Sequence, residues 1–365
     1  MTFGARARIR RGALRHNLRI VRARCPGARV MAMIKANAYG HGLVPVAEAL
    51  HEADSLAVAR LAEVRTLRTA GIERPIVLLG GMLSLRELDE AIALDSEMVV
   101  HDEQQIRWLE ASSVKLPVAW CKIDTGMRRL GFSPDAAPAA LRRLGQCVAS
   151  LRVMTQFANA DDPHDPTSLE QLKRFLDLLD NFDGDISVAN SPVILGNSDS
   201  LGRLLAGLSA RRIWVRPGIA LYGISPFGDQ CGADFGLRPA MQFEATLMSV
   251  KHIRGGDRVG YGGTWLAEQD TVLGIIAAGY GDGYSRYIPS GTPVLVNGRR
   301  APVAGRISMD LAAVNLGPGA TDRVGDPVVL WGDGLPVEEI AGYAGTIPYQ
   351  LVAGVTHREE PVFDD

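Results

Sequence analysis

Between residues 30 and 218, short apolar runs alternate with stretches of helical periodicity. The runs are Val30–Ile34, Leu56–Ala59, Pro75–Leu79, Glu97–Val100, Pro117–Asp124, Leu151–Phe157, Asp185–Ala189 and Ile213–Val215. Between them lie segments such as Leu169, Leu172, Phe175 and Leu179, a helical stripe preceded by a Ser168-x-x-Gln171 capping box. Strands that are apolar along their whole length suit a parallel sheet covered on both faces. Eight such units in succession predict an α/β fold, a (β/α)₈ TIM-like barrel. A doubly wound open sheet is the main rival, but it more often has about five to seven strands.

After about residue 238 the texture changes. Long helical stretches vanish, except over Val337–Tyr343. Strand-like runs replace them: Phe243–Val250, Val272–Ala277, Val294–Asn297, Val303–Asn315 and Val328–Trp331. Asn297-Gly298 and Asp333-Gly334 mark turns. The expected domains are therefore 1–238, a barrel, and 239–365, a mainly β domain.

The start of the chain carries eight arginines (Arg6, Arg8, Arg10, Arg11, Arg15, Arg19, Arg22, Arg24) and no acidic residue before Glu48. An organellar transit peptide has this composition. The better reading is an ordinary amphipathic helix, because Leu14, Leu18 and Val21 recur on one face and the first patterned strand follows closely.

Composition narrows the function. Lys+Arg 39 against Asp+Glu 41 gives a net charge of −2, without the basic excess of a nucleic-acid binder. No apolar run is long enough to span a membrane. The four cysteines form no C-x-x-C pair, which argues against a disulfide framework or a structural zinc and suits a reducing, cytoplasmic setting. Asp161, Asp162, His164 and Asp165 cluster, but between prolines that mark a loop, so no metal is expected. Gly279, Gly281 and Gly283 do not complete a dinucleotide fingerprint.

Lysine is scarce: Lys35, Lys115, Lys122, Lys173 and Lys251 are the only five, leaving 34 arginines. A lysine can lose its proton when desolvated and can form a Schiff base, whereas arginine stays charged. Lys35 follows the first barrel strand directly, where barrel enzymes place catalytic groups. The alternative is a lysine reaching out of a strand end to solvent. Other strand ends are also polar: Lys122 to Arg129, Thr155-Gln156, Asn190-Ser191 and Arg216-Pro217-Gly218-Ile219. Lys35, Arg129, Gln156, Ser191 and Arg216 should converge on one mouth. The last strands of such barrels commonly cup a phosphate. A lysine, a phosphate cup and two arginines together suggest pyridoxal 5′-phosphate (PLP).

These motifs resemble those of alanine racemases, over essentially the whole length of the chain. The segment Lys35-Ala36-Asn37-Ala38-Tyr39-Gly40-His41-Gly42 is similar to the family's PLP-lysine signature. Further matches are Asp124-Thr125-Gly126-Met127 with Arg129-Leu130-Gly131, Asn190-Ser191, Arg216 to Gly223, and Val259-Gly260-Tyr261-Gly262. Gly279-Tyr280-Gly281-Asp282-Gly283 and Gly305-Arg306-Ile307-Ser308-Met309-Asp310 complete the set.

The resemblance implies a homodimeric PLP enzyme with two bases, Lys35 and Tyr261, the latter reaching the site from the partner subunit. An ordinary tyrosine, with a pKa of about 10, is a poor base at neutral pH and needs cationic neighbours. By the same resemblance Arg216 faces the pyridine nitrogen, and Arg129 reaches the phenolic oxygen and the substrate carboxylate. The Met309 N–H, also from the partner, completes carboxylate binding. Tyr39, Ser191, Gly218 and Ile219 hold the phosphate, with His357 as a further ligand where the family commonly has a tyrosine. Lys122 matches a lysine carbamylated in many members, and Gln156, Asp310, Tyr280 and Arg286 support the site. Gln156 departs from the family's usual histidine; an amide can bridge the same bonds but cannot titrate near neutrality. Tyr222, Tyr280 and Tyr284 either line the entrance or are half-buried aromatics with bonded hydroxyls.

The implied activity is interconversion of L- and D-alanine in the cytoplasm, for cell-wall synthesis. Alternatives are a racemase of serine or basic amino acids, a non-catalytic PLP-binding barrel, and a decarboxylase of the related barrel-plus-β class. Tyr261 and Met309-Asp310 count against the second, and the Lys35 and Tyr261 signatures count against the third.

Overall fold

The computed structural model describes residues 4–162, 164–180, 182–196 and 213–365. The chain divides into two compact units. One comprises Asn17–Ala38 and Leu43–Leu221; the other takes in the segment ending at His16, Tyr39–Gly42 and Tyr222–Asp365.

The first unit is a closed parallel barrel. Its strands are β2 (Arg29–Met33), β3 (Ser55–Val58), β4 (Ile76–Leu78), β5 (Ser96–Val100), β6 (Leu116–Lys122), β7 (Val148–Met154), β8 (Ile186–Asn190) and β9 (Ile213–Arg216). They run in sequence order, and β9 pairs back onto β2 through Arg29 and Val30. All eight expected runs are strands. The reason is visible in β2 to β4, where nearly every side chain is buried whichever way it points. The early amphipathic helix is Arg11–Arg24, with Leu14, Leu18 and Val21 buried.

The helix Thr167–Asp177 corrects the capping-box expectation. Its N-cap is Pro166, so Ser168 lies inside the first turn. The Ser168 hydroxyl is buried and finds no hydrogen-bond partner among the described residues. Gln171, equally buried, serves the strand ends instead.

The second unit is an eight-stranded sheet built on β10 (Met241–Ile253). Its first strand is β1 (Arg6–Arg10), which lies within residues 1–238 and corrects the expectation that this whole range belongs to the barrel. The cause is a period-2 pattern: Ala7 and Ile9 are buried, while Arg6 and Arg8 reach Glu244 at 3.1 Å on β10. The remaining strands are β11 (Arg258–Val259) and β12 (Trp265–Leu266), which form a small separate ladder, then β13 (Thr271–Ile276), β14 (Pro293–Val296), β15 (Arg299–Pro302), β16 (Ala312–Gly317), β17 (Pro327–Trp331) and β18 (Val362–Asp364). Asn297 and Gly298 form the two-residue β14–β15 hairpin loop, both at positive φ (50° and 78°), as a primed turn requires.

The run Val303–Asn315 is not one strand. Only Ala312–Gly317 pairs as β16; Gly305 at φ 85° and a turn closed by Ser308 N–H to Leu311 O (2.9 Å) break the rest. The helix at Val337 runs to Ala344, and a second short helix, Pro348–Ala353, follows it.

Candidate active site

Because the barrel strands are parallel, their carboxyl ends share one rim. Lys35 stands two residues past β2, Lys122 ends β6, Thr155 and Gln156 follow β7, Ser191 follows β8 and Arg216 ends β9. The expected convergence of Lys35, Arg129 and Arg216 is seen in their mutual electrostatics. Burial, then the charge of Arg129, holds the Lys35 amine below its ordinary range; nearby Glu63 opposes this and Arg216 adds to it. Lys122 is lowered to about 8, by burial first and then by Arg216, Arg129 and Lys35. Four cationic groups thus crowd one rim, opposed by Glu63 and Asp124. Arg129 itself is exposed and makes no hydrogen bond or ion pair among the described residues. Such a cluster is built for anions.

Lys35 opens an unusual backbone feature. Ala36, Asn37, Ala38 and Tyr39 all lie at φ between 52° and 54°, a left-handed turn made of residues with side chains. Each costs roughly 1–2 kcal/mol relative to a right-handed turn. Local bonds offset this: Ala36 N–H donates to Glu63 Oε1 (2.7 Å), Leu43 N–H to Asn37 Oδ1 (2.8 Å) and Ala38 N–H to Ile34 O (2.9 Å). Gly40 ends the turn, where an added Cβ would lie 2.0 Å from Val352 O. Strain held this firmly is typical of functional sites.

Arg216 is buried and wedged among acceptors. Nη1 donates to Ser187 Oγ (2.6 Å), and Nη2 donates to Thr155 O (2.6 Å) and Gln156 Oε1 (3.0 Å). Burial lowers it only to about 10, so it stays charged at neutral pH. Its Nε–H has no acceptor among the described residues. Behind it, Gln171 Nε2 donates to Gln156 O (3.1 Å) and weakly to Thr125 Oγ1 (3.4 Å), and Ala158 N–H donates to Gln171 Oε1 (2.9 Å). Glu63, Thr155, Ser187 and Gln171 join the site without belonging to any motif that points to it in the sequence. A signal existed for Gln171, a polar residue on the buried stripe of its helix beside Leu172 and Phe175.

Ser191 Oγ accepts from Gly218 N–H (2.9 Å) and Ala220 N–H (3.3 Å), leaving its own hydrogen to donate. Gly218 therefore spends its N–H on Ser191, and Ile219 is buried beside it.

The other candidates belong to the second unit. Burial raises Tyr39 to about 12, and its ring stacks on Tyr222 at 4.8 Å. His357 Nε2 lies 2.7 Å from Gly40 O. Tyr261 heads the turn between β11 and β12 and is 66% exposed; Met309 is 55% exposed. Arg286 lies over the Tyr280 ring at 5.9 Å and donates to Ile307 O (3.2 Å). Asp310 pairs with Arg358 at 2.8 Å. Tyr222 and Tyr284 are fully buried, so neither lines an entrance; Tyr280 keeps an exposed edge.

The alanine racemase N-terminal domain model matches residues 9–226, and the C-terminal domain model matches 240–363. Alanine racemase of Aeromonas hydrophila is 46% identical over 96% of this chain and 97% of its own length. The biosynthetic alanine racemase of Escherichia coli K12 is 45% identical, covering 96% of both chains. The crystal structure of biosynthetic alanine racemase from Pseudomonas aeruginosa superposes with a TM-score of 0.93 at 41% identity, covering 100% of each chain. The chain is a member of the alanine racemase family.

Proposed function

We propose that this protein is a PLP-dependent racemase that interconverts L- and D-alanine as a homodimer with shared active sites. The observation that carries the reading is the gathering of Lys35, Lys122, Arg129 and Arg216 at one rim, with Lys35 held toward its neutral form.

The residues fit the cofactor. A desolvated amine whose charge is disfavoured by burial and by Arg129 suits attachment to an aldehyde. The unspent Nε–H of Arg216 suits a ring nitrogen, and its fixed charge disfavours protonation of that nitrogen. Ser191, Tyr39 and the Ile219 N–H would hold the phosphate, while Gly218 takes part by fixing the Ser191 hydroxyl with its own N–H. His357 contributes by holding Gly40, at the end of the turn that carries Tyr39.

When bound, PLP supplies the electron withdrawal that makes the α-hydrogen of an amino acid acidic. Lys35 takes or returns that proton on one face, and Tyr261 of the partner subunit does so on the other. Arg129 and the Met309 N–H hold the substrate carboxylate. Exposed apolar groups on the β unit (Tyr261, Leu266, Tyr287, Met309 and Leu311) support a protein partner there. The lowered amine of Lys122 supports its carbamylation, since the neutral amine reacts with carbon dioxide. The four free cysteines agree with a reducing cytoplasm, where the product would serve cell-wall synthesis.

The test is a racemisation screen over the common amino acids, with and without added PLP. Alanine should lead, and PLP should be required. Preference for serine or a basic amino acid would replace the substrate assignment. Absence of any racemisation would end the reading.

A further inference from the structure

Met309 sits at the tip of the turn between Ser308 and Leu311, and its N–H donates to nothing among the described residues. Its carbonyl accepts from Gly281 N–H (2.8 Å), and Tyr280 N–H donates to Ser308 O (3.0 Å). The approach is close enough to exclude side chains, since a Cβ on Gly279 would lie 2.3 Å from Met309 O. This fixes one side of the Met309 peptide.

The other side is fixed by a charge. Arg358 Nη1 reaches Asp310 at 2.8 Å and Asp282 at 3.2 Å. Asp282 is nearly buried and accepts from Gly279 N–H (2.9 Å), in the same turn that grips the Met309 carbonyl. Thr356 braces that turn as well, donating from Oγ1 to Gly281 O (2.8 Å) and from N–H to Asp282 O (3.1 Å). Arg358 is thus the only cation bonded to both arms of the frame among the described residues. A half-exposed ion pair contributes little to stability but can orient what it joins.

We propose that Arg358 is a positioning residue for substrate binding: through Asp310 and Asp282 it sets the Met309 amide at the angle that captures the substrate carboxylate. The inference rests on the carboxylate-binding role proposed for Met309.

The readouts are KM for L-alanine and the inhibition constant of propionate, a carboxylate without the amino group. Arg358→Met should raise both by about tenfold with kcat changed less than about twofold, the signature of lost binding rather than lost chemistry. Arg358→Lys should recover most of the loss. Asp310→Asn should mimic Arg358→Met, and the double variant should be no worse than either single one. Should Arg358→Met fail to fold, Asp310→Asn at the exposed end carries the same test. Unchanged KM and propionate inhibition in folded Arg358→Met would overturn the inference, as would a fall in kcat and thermal stability with no effect on KM. If propionate competes with alanine in the wild type yet ignores Arg358→Met, this inference alone falls. If propionate does not compete even in the wild type, the carboxylate site falls with it.

Discussion

Gln156 Oε1 accepts a hydrogen bond from Arg216 Nη2 at 3.0 Å, while the Gln156 carbonyl accepts from Gln171 at 3.1 Å. The amide therefore acts as a fixed acceptor for a buried guanidinium and has no proton to exchange near neutrality. Gln156→His should keep turnover within about tenfold of the wild type, because an imidazole nitrogen can accept the same bond. It should also add an inflection to the pH–rate profile below about 6.5, the cation being disfavoured beside Arg216. A profile identical to the wild type would show that the position does not communicate with the chemistry.

Lys122 gives a stability prediction with a definite sign. Its amine is lowered in the folded chain to about 8 from the ordinary lysine value of 10.5, first by burial and then by its cationic neighbours, so its charge opposes folding at neutral pH. The unfolded chain binds more protons between these two values, and stability rises with pH across that window. In buffer free of carbon dioxide, Lys122→Met should therefore melt higher than the wild type at pH 7, and the gap should close above about pH 10. With isotopically labelled bicarbonate, the wild type should give a carbamate NMR signal that Lys122→Arg lacks.

Tyr284 carries a buried hydroxyl without a partner among the described residues. Leaving such a group unsatisfied costs about 1–3 kcal/mol. Tyr284→Phe should be neutral or more stable, by about 1 kcal/mol in chemical denaturation, with unaltered kinetics. A loss of stability would reveal a bond to that oxygen.

Reduction of the PLP-loaded protein with borohydride should leave the cofactor attached to Lys35. Lys35→Ala should lose at least about 10²–10⁴-fold in turnover, the usual scale for removal of a general base. Label found on Lys122 instead would reassign the attachment.

Tyr261→Phe should suppress solvent exchange of the α-proton from one enantiomer far more than from the other, because it removes a base from one face only. Equal, near-wild-type exchange from both enantiomers would remove Tyr261 from the chemistry.

The barrel was legible because its strands are buried on both faces and read as unbroken apolar runs. β1 was not, because its alternation is carried by Ala7 and Ile9 beneath arginines that also suit a helix surface. The site lysines and arginines were legible from their positions after strands. Ser168 misled because a capping box and a buried stripe share the same spacing. The left-handed turn after Lys35 left no sign except Gly40 and Asn37, since Ala36 and Ala38 suggest ordinary helix.

In the proposed homodimer, each site draws its amine from one chain and its phenol from the other. Subunit mixing tests it most directly. Lys35→Ala and Tyr261→Ala homodimers should each be inactive. Dissociated and reassociated together, they should form heterodimers with one intact site, restoring roughly a quarter of wild-type specific activity at random assortment. Mixtures that form heterodimers yet remain inactive would show that Lys35 and Tyr261 of different chains do not share a site.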